Sequence, residues 1–265
     1  MSSFRRSLAL SALMGLTLAA TVAAQQPTTS DDFRWAKALR AGSRVELKNV
    51  NGDVTVTTAS GGEVEVVGRR RRGSDADIRV QVVETSNGVV ACVVWRGDDC
   101  DEDGYRGRRD GWNDEERRGR IDLEVRVPRG MHVSAGSVSG DVALTGVEGE
   151  VRASSVSGDV RVQGIRAQSL NASSVSGDIE ASVDALTGTG DLRFSSVSGN
   201  VVAELPRDFS ADLRMTTVSG SIDSAYPITI EGRTGRSRLE GRIGSGGRRL
   251  TVSTVSGDLR LRARQ

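Results

Sequence analysis

Three groups of side chains in this sequence could do chemistry. The first is a set of carboxylates. Asp99, Asp101 and Asp103 alternate ahead of Gly104, and Asp110 stands at the twelfth place of the same run. Hard oxygens at alternating positions can converge on one calcium ion, and this spacing matches the opening of a calcium loop. Against that, Arg106, Arg108 and Arg109 crowd the run, Asp replaces the usual final Glu, and no helical pattern flanks it. The preferred reading of 97–120 is a solvated zwitterionic loop. Calcium is the one cofactor the sequence offers, and it otherwise implies none.

The second group is Cys92 and Cys100, the only cysteines. In an oxidising compartment two such thiols close a disulfide, and without a nearby His they are too few soft ligands for a metal. The third group is a set of serines beside aspartates. A hydroxyl nucleophile needs a base and an orienting group, and the chain has one histidine, His132. Gly136-Ser-Val-Ser-Gly140 puts its serines second and fourth, not at the centre of a nucleophile elbow. No catalytic residue is expected. Arg96-Gly97-Asp98 spells an adhesion tripeptide that chance explains in a chain this rich in Arg, Gly and Asp. The Arg69–Arg72 run lacks an aromatic platform for a polyanion and reads as a solvated turn.

The serines belong to a repeat, and the repeat sets the architecture. Val138-Ser-Gly-Asp141 recurs at Val156, Val175 and Val255, at Val197 with Asn200 and at Val218 with Ser221, and a looser copy is Val50-Asn-Gly-Asp53. The six close copies step by 18, 19, 22, 21 and 37 residues. A fixed turn phrase at a period near 20 is the signature of stacked repeats. Five, three and one residues before each Val lie an apolar position, a second apolar position and a Ser or Thr, all on one strand face. Four and six residues after it, apolar residues such as Val142 and Leu144 take the opposite parity. The turn phrase must therefore bend the chain and reset which side faces inward. Gly140, Asp141, Gly158, Asp159, Gly177, Asp178, Gly199, Gly220, Gly257 and Asp258 are read as corner residues.

Each unit is then two short strands around a corner, too small to bury a face alone. Stacked units give a continuous inner column. The expected fold is all-β: a parallel β-solenoid, preferred over an antiparallel sandwich, with a hairpin or irregular coil in the long last step. Stacked Asp should repel unless solvated, paired or bridged, and Asn200 and Ser221 are expected to relieve that repulsion.

The ends read differently. Arg5 and Arg6, an apolar stretch from Leu8 to Ala20 and Val22-Ala-Ala24 form a secretory signal over residues 1–24, too short to span a membrane. No other apolar run reaches that length, so no transmembrane span is expected in the mature chain. Residues 25–42 are expected to hold a linker and a capping helix from about Asp31 to Arg40, with Ser30 as its N-cap and Gly42 after its end. Residues 43–265 form the repeat domain. Arg260, Arg262 and Arg264 alternate along the last strand, a charged-edge pattern. The formal net charge of +1 supplies no field to draw nucleic acid or an anionic membrane.

Lys-Asn-Val-Asn-Gly-Asp53, Val125-Arg-Val-Pro-Arg-Gly130, the Ser-Val-Ser-Gly-Asp copies and Leu239-Glu-Gly-Arg-Ile-Gly-Ser-Gly-Gly247, followed by Leu250-Thr-Val-Ser-Thr-Val-Ser-Gly-Asp258, come in a fairly specific order. From about residue 43 to the end the chain resembles the bacterial putative-adhesin family, a domain of unknown function made of β-strand repeats. The resemblance implies an exported envelope protein, periplasmic or at the cell surface, with no established catalytic site. The expected function is a non-catalytic structural or interaction module whose partner is an envelope glycan or protein. The alternatives are a polysaccharide-binding or polysaccharide-acting β-helix protein and a self-assembling scaffold. Oligomeric state stays open.

Overall fold

The computed structural model describes residues 32–71, 77–107, 119–230 and 234–264. The signal segment and Asp110 lie outside the described residues. The chain opens with β1 (Asp32–Ala38), β2 (Arg44–Asn51), β3 (Val54–Thr58), β4 (Glu63–Arg70), β5 (Arg79–Thr85) and β6 (Gly88–Val94). A small hairpin of β7 (Asp99–Asp101) and β8 (Gly104–Arg106) precedes β9 (Ile121–Val127). The repeats come next as β10 (His132–Ser139), β11 (Val142–Thr145), β12 (Glu148–Ser157), β13 (Val160–Ser176), β14 (Ile179–Leu186), β15 (Leu192–Ser198), β16 (Val201–Leu205), β17 (Ala211–Thr216) and β18 (Ile222–Ser224). The chain closes with β19 (Ile228–Ile230), β20 (Arg238–Ile243), β21 (Arg249–Ser253) and β22 (Leu259–Ala263). Among the described residues every element is a strand, and all but β7 and β8 join one 20-stranded, mostly parallel sheet.

Two parallel arms meet at the turn phrase. The arm before it runs β6, β2, β10, β12, β13, β15, β21, β17, each copy in register with the next. The arm after it runs β9, β3, β11, β13, β14, β16, β22, β18. The inward residues form the columns the spacing predicts. Val133, Val151, Leu170, Leu192, Leu250 and Leu213 are all buried, as are Val142, Val160, Ile179, Val201 and Leu259. β-Branched and apolar residues at every second position suit such a half-buried strand. Bulk is shared between arms: the layer of Ala135 carries Leu144, and that of Phe194 carries Ala203, as close packing at constant volume requires.

The corner needs glycine for a steric reason. A Cβ on Gly158 would lie 2.2 Å from the Gly140 carbonyl oxygen of the layer below, and one on Gly140 would lie 2.1 Å from that of Gly52. Their φ angles, +153° and +157°, also disfavour a side chain.

Two expectations about the ends are corrected. Residues 32–38 form β1, not a helix, and pair antiparallel with β4, Phe33 opposite Gly68 and Trp35 opposite Val66. Phe33 and Trp35 stand two apart and both pack against the core, so a two-residue period wins over the capping signals around them. The last strand is not an edge: β22 lies between β16 and β18. The chain makes the outermost layer first, with β17 and β18, and turns through the antiparallel pair β19 and β20. It then threads β21 and β22 back inside. Arg260, Arg262 and Arg264 accordingly pair with Asp258, Glu204 and Asp184. Antiparallel strands cover three of the margins, with β5 on β6, β4 on β9 and β20 on β17, while among the described residues β18 pairs only with β22.

Candidate interaction face

The turn phrase is held by two ladders that leave its polar atoms little freedom for chemistry. The buried hydroxyl before each Val donates to the glycine carbonyl of the neighbouring layer. Ser137 reaches Gly52 O at 2.8 Å, Ser155 Gly140 O at 2.9 Å, Ser174 Gly158 O at 3.0 Å and Ser196 Gly177 O at 3.1 Å. Thr254 and Thr217 do the same to Gly199 and Gly257. In the first copy Asn49 stands in this column and its amide donates to Ile121 O.

The second ladder runs through the aspartates. Each backbone N–H at this place donates to the side-chain oxygen one layer away: Asp141 to Asp53, Asp159 to Asp141, Asp178 to Asp159 and Asn200 to Asp178, at 2.7–2.9 Å. Asp258 N then donates to Asn200 Oδ1, and Ser221 N to Asp258 Oδ1. Arginines neutralise the column from outside. Arg161 bridges Asp141 and Asp159, Arg260 meets Asp258, and Arg120 meets Asp53. The Ser221 N–H and hydroxyl, with Arg260, hold the Asp258 carboxyl below its ordinary range. These carboxylates are spent on structure.

Asp122 extends this ladder and was not legible as a copy of the phrase. It accepts Asp53 N at 3.0 Å and is paired with Arg71 and Arg120. Its one signal is the alternation Asp122-Leu123-Glu124-Val125, the same apolar–polar order that comes after each Asp of the repeat.

The remaining candidates separate. Cys92 and Cys100 are joined as a disulfide. Asp99 Oδ1 accepts from the Gln81 amide and from Cys100 N, which together hold its pKa down. Asp101 and Asp103 both pair with Arg106. Among the described residues no group of three or more His, Cys, Asp or Glu side chains converges as for a metal. Asp98 of the adhesion tripeptide is buried and accepts the Tyr105 hydroxyl at 2.6 Å, so it is not presented to a receptor. Arg69 pairs with Glu124 and Asp32, Arg70 bonds Ile78 O and Arg71 pairs with Asp122, while Arg72 lies outside the described residues. His132 Nδ1 accepts Glu150 N.

What the ladders leave exposed is the outer face of the first arm. By strand parity the residues four, two and zero places before each turn point outward together. They make an arginine–asparagine column (Arg152, Asn171, Arg193, Arg214), a hydroxyl column (Ser154, Ser173, Ser195, Ser253, Thr216) and a valine column. The valines are exposed: Val138 44%, Val156, Val175 and Val197 45% each, Val255 47% and Val218 75%. Single exposed valines are ordinary, whereas Val138, Val156, Val175 and Val197 stand in register on β10, β12, β13 and β15, and Val255 and Val218, just past β21 and β17, continue the apolar ridge.

At the other end the same face is covered by the chain itself. In β6 the outward residues are Val90, Cys92 and Val94, in register with β2. They are buried in a small second core with Cys100, and Val83 and Tyr105 pack against it. The β7–β8 hairpin supplies that cover, and the disulfide ties it down.

A family model matches residues 43–262, the whole of the two stacked arms. The chain belongs to the Toastrack DUF4097 family. Toastrack thus names a domain of unknown function, in agreement with the resemblance read from the turn phrases. No protein of curated function matches the chain. The Toastrack chain is similar to a solved structure described as a putative cell adhesion protein from Clostridium sporogenes ATCC 15579, at 8% identity and a TM-score of 0.47, over 88% of this chain and 100% of that one. It is also similar to a putative adhesin from Bacteroides fragilis NCTC 9343, at 12% identity and a TM-score of 0.42, over 91% of this chain and 100% of that one. Among the described residues of this Toastrack chain no helix is long and apolar enough to cross a membrane.

Proposed function

We propose that the two arms wind as a parallel β-solenoid that, once residues 1–24 are removed, serves outside the cytoplasm as a non-catalytic, adhesin-like interaction module at the cell envelope. Its contact surface is the valine–hydroxyl–arginine face, and its occupant is a protein segment presenting apolar side chains in extended form. The observation that carries this reading is the pair of states of one face. Six rungs of valine stand exposed, while the first rung is covered by the protein's own disulfide-tied hairpin. That hairpin is an example within the molecule of what this surface binds. The serine and aspartate side chains are committed to the ladders, which supports a binding role over a hydrolytic one. A disulfide and a candidate signal segment favour an oxidising compartment.

The test uses the purified chain and fragments of the producing cell's envelope. Wild-type protein is expected to sediment with the fragments, and Val156→Asp/Val197→Asp is expected to remain in solution with an unchanged circular dichroism spectrum. Prior protease digestion of the fragments should abolish sedimentation. Equal sedimentation of the double variant would refute the face. Sedimentation that survives digestion would replace the protein partner by a glycan.

A further inference from the structure

Away from that face, three loops from different layers meet at a cleft of about 570 Å³. Asp184, Gly188 and Thr189 enter it from β14 and the turn after it, Asp208 and Phe209 from the link between β16 and β17, and Arg248 from the residue just before β21. Arg248 is only 9% exposed. Its Nη1 donates to Gln168 O at 3.4 Å, a long contact, and its Nη2 to Gly188 O. Among the described residues no other acceptor bonds the guanidinium, and none of its nitrogens is both fully buried and without a partner, so its free N–H groups open to the cleft. The nearby carboxylate of Asp191 is engaged by Arg249 at 3.1 Å. A guanidinium largely out of water with no carboxylate in contact is costly, and Asp191 acts on it only at a distance. Of the carboxylates lining the cleft, Asp184 pairs with Arg264 and Asp208 is exposed to solvent. The planar fork of Arg248 is also shaped for two oxygens of one anionic group.

We propose that this cleft is an oxyanion site. Arg248 receives a carboxylate, sulfate or phosphate carried by a small ligand or a sugar acid, and the loop residues Thr189 and Phe209 line the body of that ligand. Burial pushes the Arg248 pKa down, the direction that an incoming anion would reverse. The site shares no residue with the valine face, so either can fail without the other.

The purified chain is titrated with glucuronate, phosphate and sulfate against chloride at constant ionic strength, following amide resonances and thermal midpoint. At least one oxyanion is expected to shift the Gly188 and Gly247 amides saturably and to raise the midpoint, and the tightest of the three identifies the source. Arg248→Met should abolish the response. Thr189→Glu places a carboxylate at the exposed lip of the cleft and should weaken binding at least about tenfold while Arg248 stays in place. No response beyond chloride in the wild type, or an undiminished one in Thr189→Glu, would overturn the site.

Discussion

The Asp258 carboxylate accepts the backbone N–H of Ser221 at 2.9 Å, while its own N–H donates to Asn200 at 2.9 Å. The copy of the turn phrase that is last in sequence is therefore next to last in space. The copy that departs furthest from the consensus, Ser221, is the one with no layer beyond it. An acceptor carboxylate there would have no N–H to receive.

The corner glycines are set by the distance between layers. Gly158→Ala places a methyl 2.2 Å from a backbone carbonyl and should cost more than about 3 kcal/mol. Gly61→Ala, with nothing within 4 Å of the new atom, should stay within about 0.5 kcal/mol. Chemical denaturation of the two variants checks the contrast.

Removal of one rung of the hydroxyl ladder strands a carbonyl. Ser155→Ala leaves Gly140 O without its donor and should lower stability by about 1–2 kcal/mol. Ser155→Thr should retain nearly all of it, because Thr254 and Thr217 already make this bond. Urea midpoints for both variants decide the matter.

Asn200 separates Asp178 from Asp258, and its Nδ2 lies 3.4 Å from Asp178 Oδ1. Asn200→Asp keeps the acceptor for Asp258 N but adds a like charge to the column. Destabilisation should be larger at low than at high salt. Melting temperatures that fall equally at both would count against repulsion as the cause.

The acid limb of stability should depend on Asp122. Burial raises its pKa, and the N–H of Asp53 with Arg120 and Arg71 outweighs that, leaving the carboxyl below its ordinary 3.8. A depressed folded-state pKa means stabilisation that is complete above the ordinary value and lost as the pH falls below it. Asp122→Asn should flatten the loss of stability below about pH 4, measured by denaturation across pH.

The disulfide should act on the hairpin it closes. Cys92→Ala/Cys100→Ala opens a short loop and should cost about 2–3 kcal/mol by the loop-entropy argument. Faster hydrogen exchange should concentrate in residues 88–107 and leave β10–β16 protected.

Much of the architecture was written in the repeat. The parity change across Val138-Ser-Gly-Asp141 anticipated two arms with inward columns, because side-chain alternation is a local property of strands. The order of layers was not legible. Nothing within 218–258 says that β21 pairs with β15 as well as β17, since every copy is compatible with every other and the hairpin between them decides. The segment 32–38 was misread because Ser30 and the acidic residues after it signal a helix, whereas the partner that makes it a strand, β4, lies some 25 residues on. The interaction face was hidden for another reason. Parity put the Val of the turn phrase on the outer face, but nothing local says which stretch of that face another element covers, and the cover over β6 comes from the β7–β8 hairpin. Arg248 carries no local signal at all, since its burial comes from loops far apart in sequence.

The threading of β22 between β16 and β18 has a consequence for how the molecule is made. A stack laid down in order could grow layer upon layer as the polypeptide emerged. Here β17 and β18 are synthesised with no neighbour to receive them, and they wait for a strand that does not yet exist. The far end of the molecule cannot close until β22 has been made. A premature stop in the final coil would strip the wall from its middle, leaving β16 and β18 without the strand that joins them.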